Sequence, residues 1–291
     1  STPKPSSAAS DVYKRQTPHM PKLNTANPEV EAYLLKVADY WISEFDIDAW
    51  RLDVADEVDH TFWKKFRTTC DAAKDDFYIL GEVWHSAQPW LVGDEFSAVM
   101  NYAYTDAIKD GLITKKISLE QMVSNINTQL TLYRKQVNQM MFNVLDSHDT
   151  PRILTVAKNN KNLMKLVETF TFMQPGVPCI YYGDEYAVTG GMDPECRKVM
   201  PWEEKDQDLE MFEFFKNLIA LRKQYQGILS DSEVEWKIVD SENGIVKFER
   251  GTLKAIFNIG EKPAYFSADE VVFSNLVDQN NILQYGFVIY K

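Results

Sequence analysis

Apolar residues recur every three or four positions from Asn27 onward, and this spacing predicts an amphipathic helix that ends near Phe45–Asp46. Asn27 suits the N-cap, and Pro28 suits the first helical position. A second predicted helix presents one apolar face, made of Phe62, Phe66, Cys70 and Ala73. The same periodicity predicts three further helices, over about residues 118–136, 161–173 and 208–225.

Short apolar runs between these helices predict β-strands. The runs cover about residues 47–54, 77–84, 98–104, 140–152 and 178–185. Strands that alternate with helices indicate parallel pairing through right-handed crossovers, so the fold class is α/β. Charged residues recur at the C-terminal ends of these strands, where both a barrel and a doubly wound sheet place their ligands. No glycine-rich phosphate-binding motif is found at the start of a predicted helix. The sequence therefore gives little support for a nucleotide-binding sheet.

The pattern changes after Gly227 into short alternating runs separated by turn residues. This change predicts a small antiparallel β domain over residues 228–291, after a catalytic domain over residues 17–227. Residues 1–16 are polar and without period, so we interpret them as a non-native tail that resembles an adapter or cloning remnant.

Charge and cysteine content exclude several classes of function. The net charge is −12, which disfavours binding to nucleic acid or to an anionic membrane. The three cysteines are too widely spaced to indicate a disulfide framework or a metal site. No apolar run approaches the roughly 20 residues that span a bilayer.

Arg51 and Asp53 form a charged pair within a predicted strand. Side chains alternate along a strand, so these two share one face, while Trp50, Leu52 and Val54 share the apolar face. An arginine beside an aspartate favours the ionised carboxylate, which a sugar nucleophile requires. The alternative is a structural ion pair that joins two strands.

Two other strand ends carry polar side chains. Glu82 lies near Trp84, and a carboxyl group in a partly apolar pocket can serve as an acid, although a solvated strand-end glutamate is the simpler alternative. His148 and Asp149 could form a metal ligand set, a base with its orienting partner, or a sugar-binding pair. Adjacent residues on a strand point to opposite sides, so Ser147 and His148 are poorly placed for a catalytic triad.

Four segments together resemble motifs of the α-amylase superfamily, glycoside hydrolase family 13. They are DAWRLDVADEVDH, GEVWH, NVLDSHDTPR and PCIYYGDE, in the family's order. The segments MPKLN, VADEVDH and TGGMDPECRK resemble the subfamily of neopullulanases, cyclomaltodextrinases and maltogenic amylases. The resemblance covers about residues 19–291. It implies a (β/α)8 TIM barrel followed by a small antiparallel β-sandwich.

The resemblance also implies roles for individual residues. Asp53 matches the nucleophile, Glu82 the general acid/base, and Asp149 the acid that stabilises the transition state. The residues assigned to substrate binding are Arg51, Asp56, Glu57, Trp84, His148 and Arg152. The implied reaction is retaining hydrolysis of α-1,4-glucosidic bonds in cyclomaltodextrins, pullulan or starch oligosaccharides by double displacement.

The sequence departs from the family pattern at three single residues and in the family segments that it contains. Ala49 and Asp46 replace usual glycines, and Asp56 replaces the subfamily's usual asparagine, which adds negative charge near the cleft. The family's early motif, three barrel strands and an N-terminal β domain that would mediate dimerisation are not found. We therefore expect barrel strands four to eight only, in a truncated chain that is poorly soluble or inactive by itself.

The resemblance implies an α-glucan oligosaccharide as substrate, with neither nucleic acid nor membrane as a partner. No cofactor is required, and calcium is allowed by analogy alone, because no oxygen-rich ligand loop is recognisable. Low cysteine usage weakly favours the cytoplasm. One alternative is an α-glucosidase or trehalose-processing relative, which MPKLN disfavours. Another is a non-catalytic glycan-binding relative, which the presence of all three acids disfavours.

Overall fold

A computed structural model describes residues 10–11 and 22–291. The predicted non-native tail, apart from residues 10–11, lies outside the described residues, as does the start of MPKLN. The described chain forms two compact units. The first contains its residues up to Val83 together with Ala87–Val99, and the second contains Trp84–Ser86 and Met100–Lys291.

The first unit contains a three-stranded parallel sheet with helices in its connections. Its elements are β1 (Ser10–Asp11), β2 (Lys22–Leu23), α1 (Pro28–Phe45), β3 (Ala49–Leu52), α2 (His60–Ala73), β4 (Tyr78–Gly81) and β5 (Ala98–Val99). The strand order is β3-β4-β5, whereas β1 and β2 form a separate antiparallel pair. The register places Leu52 opposite Gly81, so the residues that follow both strands emerge at one end of the sheet.

Local sequence signals account for both helices of this unit. The Asn27 side chain accepts hydrogen bonds from two backbone N–H groups of the first turn, which confirms the predicted cap of α1. Asp46 ends α1 in the left-handed conformation with φ 51°, a conformation that aspartate adopts more readily than most residues. In α2, Phe62, Trp63 and Phe66 pack with tilted or perpendicular rings in the core.

The second unit begins with helices and two short parallel strands. Its elements before residue 232 are α3 (Tyr102–Leu112), α4 (Leu119–Leu132), α5 (Lys135–Met140), β6 (Phe142–Val144), α6 (Ile153–Val156), α7 (Lys161–Phe172), β7 (Val177–Cys179), α8 (Leu209–Gln224) and α9 (Gln226–Asp231). β6 and β7 pair in parallel, and Met100 forms a parallel bridge to Phe142. The predicted domain boundary at residues 227–228 lies inside α9.

The C-terminal segment is an antiparallel sheet that packs within the second unit. Its strands are β8 (Glu235–Asp240), β9 (Ile245–Arg250), β10 (Leu253–Asn258), β11 (Ala264–Tyr265), β12 (Val271–Asp278) and β13 (Asn281–Tyr290). Hydrogen bonds join them in one antiparallel sheet, in which β13 pairs with β10, β11 and β12. Phe170 of α7 packs against Phe248 and Phe257, so this sheet shares its core with the preceding helices.

Two predicted elements differ from the structure. The run over 98–104 is a strand only at β5 and continues as α3, in which Tyr102 and Tyr104 are buried. The helix predicted over 118–136 is divided between α4 and α5, with extended backbone at Tyr133 and Arg134. Within the described residues, no helix is both long and apolar enough to cross a membrane.

Candidate active site

Arg51 joins two carboxylates at the C-terminal end of the sheet in the first unit. Its Nη1 lies 2.5 Å from Asp53 Oδ1, and its Nη2 lies 2.8 Å from Glu82 Oε1. The guanidinium therefore uses separate nitrogens for the two acids, as its fork geometry permits. The Asp53 side chain is 72% exposed and the Glu82 side chain 4%, so one acid faces solvent and the other is enclosed.

Glu82 is held by backbone as well as by Arg51. Its Oε2 accepts a hydrogen bond of 2.9 Å from the Val54 N–H, and its own N–H donates to Leu52 O. The residue before Glu82 is Gly81. Any other residue would clash there, because a Cβ at that position would lie 2.6 Å from the Phe96 ring. Phe96 can thus pack directly on the end of β4, which fixes the backbone that carries Glu82.

The residues after Asp53 differ from the predicted strand. β3 ends at Leu52, and Val54 adopts the left-handed conformation with φ 46°, so its side chain is exposed instead of packing with Trp50 and Leu52. This turn aims the Val54 N–H at Glu82. Asp56 and Glu57 follow in a short 3₁₀ turn and are exposed, and Glu57 Oε2 lies 3.8 Å from Lys22 Nζ.

In the second unit, His148 and Asp149 occupy a tight turn after β6. His148 Nε2 lies 3.0 Å from Asp149 Oδ2, and both side chains are about one-third to two-fifths exposed. The turn is closed by its own side chains, since Thr150 Oγ1 accepts from Ser147 N–H and Ser147 Oγ accepts from Asp149 N–H. Ser147 is thereby engaged with the backbone and side chains of its own turn.

Arg197 contacts this turn and was not among the residues predicted for the site. It donates from Nη2 to Asp149 Oδ1 over 3.0 Å and from Nε to the His148 carbonyl over 2.9 Å. Asp193 also lies 3.1 Å from its Nε. Since 48 residues separate Arg197 from Asp149, no short-range spacing could indicate this contact.

Four aromatic residues near the strand ends could offer flat surfaces to a sugar ring, and they have different environments. Trp84 is 45% exposed and stacks on Tyr102 with ring centroids 4.0 Å apart and planes 4° apart. Tyr102 is buried, and its hydroxyl donates to Ser147 Oγ. Trp90 and Tyr104 are also buried, so only Trp84 among the four presents a ring face to solvent.

Arg152, which was assigned to substrate binding, lies in the core of the second unit. Its side chain is fully buried, with Nη1 2.6 Å from the Tyr182 carbonyl and 3.4 Å from Asp184 Oδ1. The guanidinium also lies over the rings of Tyr181 and Tyr182. The strand-end motif does not reveal that this side chain is buried.

A buried acidic cluster lies beneath the His148 turn. Burial raises the pKa of the Glu168 carboxyl well above its usual range. Burial and the nearby Asp146 charge do the same to the pKa of Asp184. Burial also raises the pKa of Asp146, although hydrogen bonds oppose that shift. Across the residues that the structure describes, no three His, Cys, Asp or Glu side chains are grouped as a metal site.

Comparisons with known proteins show the family to which the chain belongs. A family profile described as "Alpha amylase, catalytic domain" matches residues 8–231. An intracellular maltogenic amylase of Bacillus subtilis is 48% identical over 269 residues, which cover 91% of this chain and 45% of the relative. A cyclomaltodextrinase of Geobacillus thermopakistaniensis (strain MAS1) is 53% identical over 77% of this chain and 38% of the relative.

Other relatives extend the same similarity. Neopullulanase 2 of Thermoactinomyces vulgaris is 41% identical over 82% of this chain and 41% of the relative. A solved cyclomaltodextrinase structure superposes with a TM-score of 0.85 at 37% identity, covering 94% of this chain and 51% of that one. The chain thus spans about half, or less, of the length of these relatives.

Proposed function

Because this chain belongs to the α-amylase family, we propose that it carries the catalytic residues of a retaining α-glucan hydrolase of the cyclomaltodextrinase and maltogenic amylase type. The family implies a (β/α)8 barrel. In this proposal β3 to β7 are barrel strands four to eight, with the active-site residues at their C-terminal ends. The observation that carries the proposal is Arg51, which holds Asp53 and Glu82 together through separate nitrogens.

Asp53 is the nucleophile in this proposal. Its exposed carboxylate contacts Arg51 through Oδ1, and a carboxylate is the group that attacks the anomeric carbon. Retaining glycosidases place nucleophile and acid about 5 Å apart, a separation that one guanidinium can bridge. Attack forms a covalent glycosyl–enzyme ester on Asp53 while the glycosidic C–O bond breaks.

Glu82 is the general acid and then the base. It gives its proton to the departing glycosidic oxygen and afterwards takes one from the water or sugar hydroxyl that cleaves the ester. Its enclosed position and its fixed contacts with Arg51 and the Val54 N–H support this role, since a proton donor has to be oriented before the bond breaks. In the proposal, Asp149 stabilises the positive charge that develops on the sugar in the transition state, and His148 binds a sugar hydroxyl.

The proposed substrates are cyclomaltodextrins, pullulan and starch oligosaccharides. The names of the relatives support this range, and the exposed ring of Trp84 supports a sugar-binding platform. Dimerisation through the N-terminal β domain that the subfamily resemblance implies is part of the proposal.

The test measures reducing ends released from β-cyclodextrin, pullulan and soluble starch. It uses the 291-residue chain and the same residues joined behind the preceding segment of the B. subtilis relative. Glu82→Gln is expected to lower turnover by roughly a hundredfold to ten-thousandfold while binding persists, because the proton donor is lost. Glu95→Gln is the matched control, since Glu95 is likewise buried in the first unit but pairs with His60.

Two outcomes would contradict the proposal. Equal losses in Glu82→Gln and Glu95→Gln would mean that Glu82 has a structural role only. Proton NMR of the first products should give the α-anomer, because two displacements retain configuration. If the β-anomer is formed first, the double displacement is refuted even though hydrolysis occurs.

A further inference from the structure

Asp146 makes a contact that holds the turn carrying His148 and Asp149, and the proposed mechanism does not use this residue. Asp146 follows β6 with its side chain directed inward and only 4% exposed. Its Oδ2 accepts a hydrogen bond of 2.6 Å from the Ile153 N–H. This one contact links both ends of the segment 146–153, in which His148 and Asp149 form the middle.

The Ile153 N–H has no local partner that could replace Asp146. Ile153 is the first residue of α6, and the N-cap residue, Arg152, makes no side-chain capping bond. An arginine side chain has no acceptor, so it cannot cap an N–H group. Asp146 therefore caps α6 from seven positions earlier, which is a longer reach than an ordinary N-cap has.

Asp146 is itself held from a second element. The Asp184 carboxyl, which is 1% exposed, lies against Asp146, and burial raises the pKa of both carboxyls. Arg152 and Lys109 attract the Asp146 charge, and Glu168 faces it as a further acid. A carboxylate held from several sides has little freedom to move, so the N–H it caps is fixed as well.

We propose that Asp146 is a positioning residue that clamps the His148–Asp149 turn through Ile153. The inference rests on the proposed function, because it assigns the clamp a role in the reaction of Asp149. Loss of the acceptor leaves the Ile153 N–H buried without a partner and releases one end of the turn. A displacement of about 1 Å at a reacting group can lower a rate by about a hundredfold.

The test compares Asp146→Leu and Asp146→Asn in the 291-residue chain and in its chimera with the B. subtilis segment. Leucine has no acceptor, whereas the asparagine amide oxygen can still accept from Ile153. Asp146→Leu is expected to lower kcat on β-cyclodextrin by roughly tenfold to a hundredfold with a smaller change in KM. Asp146→Asn should remain within about threefold of the unchanged chain, because its hydrogen bond is kept.

Asn160→Ala is the matched control. Asn160 caps α7 in the same unit by accepting from two backbone N–H groups, and neither of these bonds involves the His148 turn. Its loss should lower stability to a similar extent while kcat stays unchanged. Equal loss of kcat in Asn160→Ala and Asp146→Leu would overturn the proposal, since general destabilisation would then explain both.

Hydrogen–deuterium exchange separates the clamp from the proposed function. Amides of residues 147–153 should exchange faster in Asp146→Leu than in the unchanged chain, and Asn160→Ala should leave them as protected as before. Unchanged protection in Asp146→Leu refutes the clamp, whatever the activity. If the unchanged chain and its chimera with the B. subtilis segment hydrolyse no α-glucan, the proposed function fails, and exchange alone decides whether Asp146 holds the turn.

Discussion

Replacing Arg250 by methionine is predicted to destabilise the second unit strongly. Arg250 lies on β9 with its side chain fully buried. Its Nη1 donates to Met173 O over 2.5 Å, and its Nη2 donates to Leu229 O and Ser232 O over 2.5 and 2.9 Å. These carbonyls lie at the C-terminal ends of α7 and α9, where a helix leaves its last carbonyls without internal partners.

The magnitude follows from these contacts. A buried group left without its hydrogen-bond partner costs about 1–3 kcal/mol, so the three carbonyls together would cost about 3–9 kcal/mol. Removing a buried cation returns part of its desolvation penalty, and the methionine side chain preserves most of the apolar packing. A net loss of about 3–5 kcal/mol is expected, which is a large part of the 5–15 kcal/mol typical of a folded protein.

Urea unfolding followed by circular dichroism measures this loss. Arg250→Lys should recover part of it, because an ammonium group can reach some of the carbonyls but cannot span all of them. Lys247→Met on the same strand is the control and should change the free energy of unfolding by less than about 0.5 kcal/mol. A similarly small change in Arg250→Met would refute the reasoning, because the carbonyls would then be satisfied without the guanidinium.

Two further predictions follow from the site and from the acidic cluster below it. Trp84→Leu should raise KM for β-cyclodextrin roughly three- to tenfold, because a stacking surface is lost, whereas replacing the exposed Tyr265 by leucine should leave KM unchanged. Because the pKa of Glu168 is raised on folding, the folded chain keeps a proton that the unfolded chain loses above pH 4.5. The free energy of unfolding should therefore fall as pH rises from there towards the folded pKa, by up to about 1.4 kcal/mol per pH unit, and thermal melts of Glu168→Gln should show a flatter dependence.

The long helices could be predicted from sequence because their signals are local. The helix predicted from Asn27 is α1 to within a residue, and the helix predicted over 161–173 is α7. In both, an asparagine cap precedes a sustained 3.6-residue pattern. The run over 98–104 lacked such a signal, and apolar content alone cannot distinguish a buried strand from the buried start of a helix.

The strand ends were harder to predict because tertiary contacts determine them. β3 was predicted to continue to Val54, but it ends at Leu52, where the chain turns so that the Val54 N–H meets Glu82. The sequence pattern favours valine in a strand. The contact with a buried carboxylate 28 residues away outweighs that preference and places valine in a left-handed conformation.

The contacts of Arg51 bear on the two interpretations that the sequence left open for the Arg51–Asp53 pair. A structural ion pair would bury both charges, because an enclosed carboxylate needs a partner to offset its desolvation. Glu82, and not Asp53, is the enclosed acid. Arg51 therefore offsets the buried charge of Glu82, whereas Asp53 stays open to solvent. Spacing along one strand could suggest the first contact only. The second depends on the register that sets Leu52 opposite Gly81, and therefore Asp53 beside Glu82, at the same end of neighbouring parallel strands.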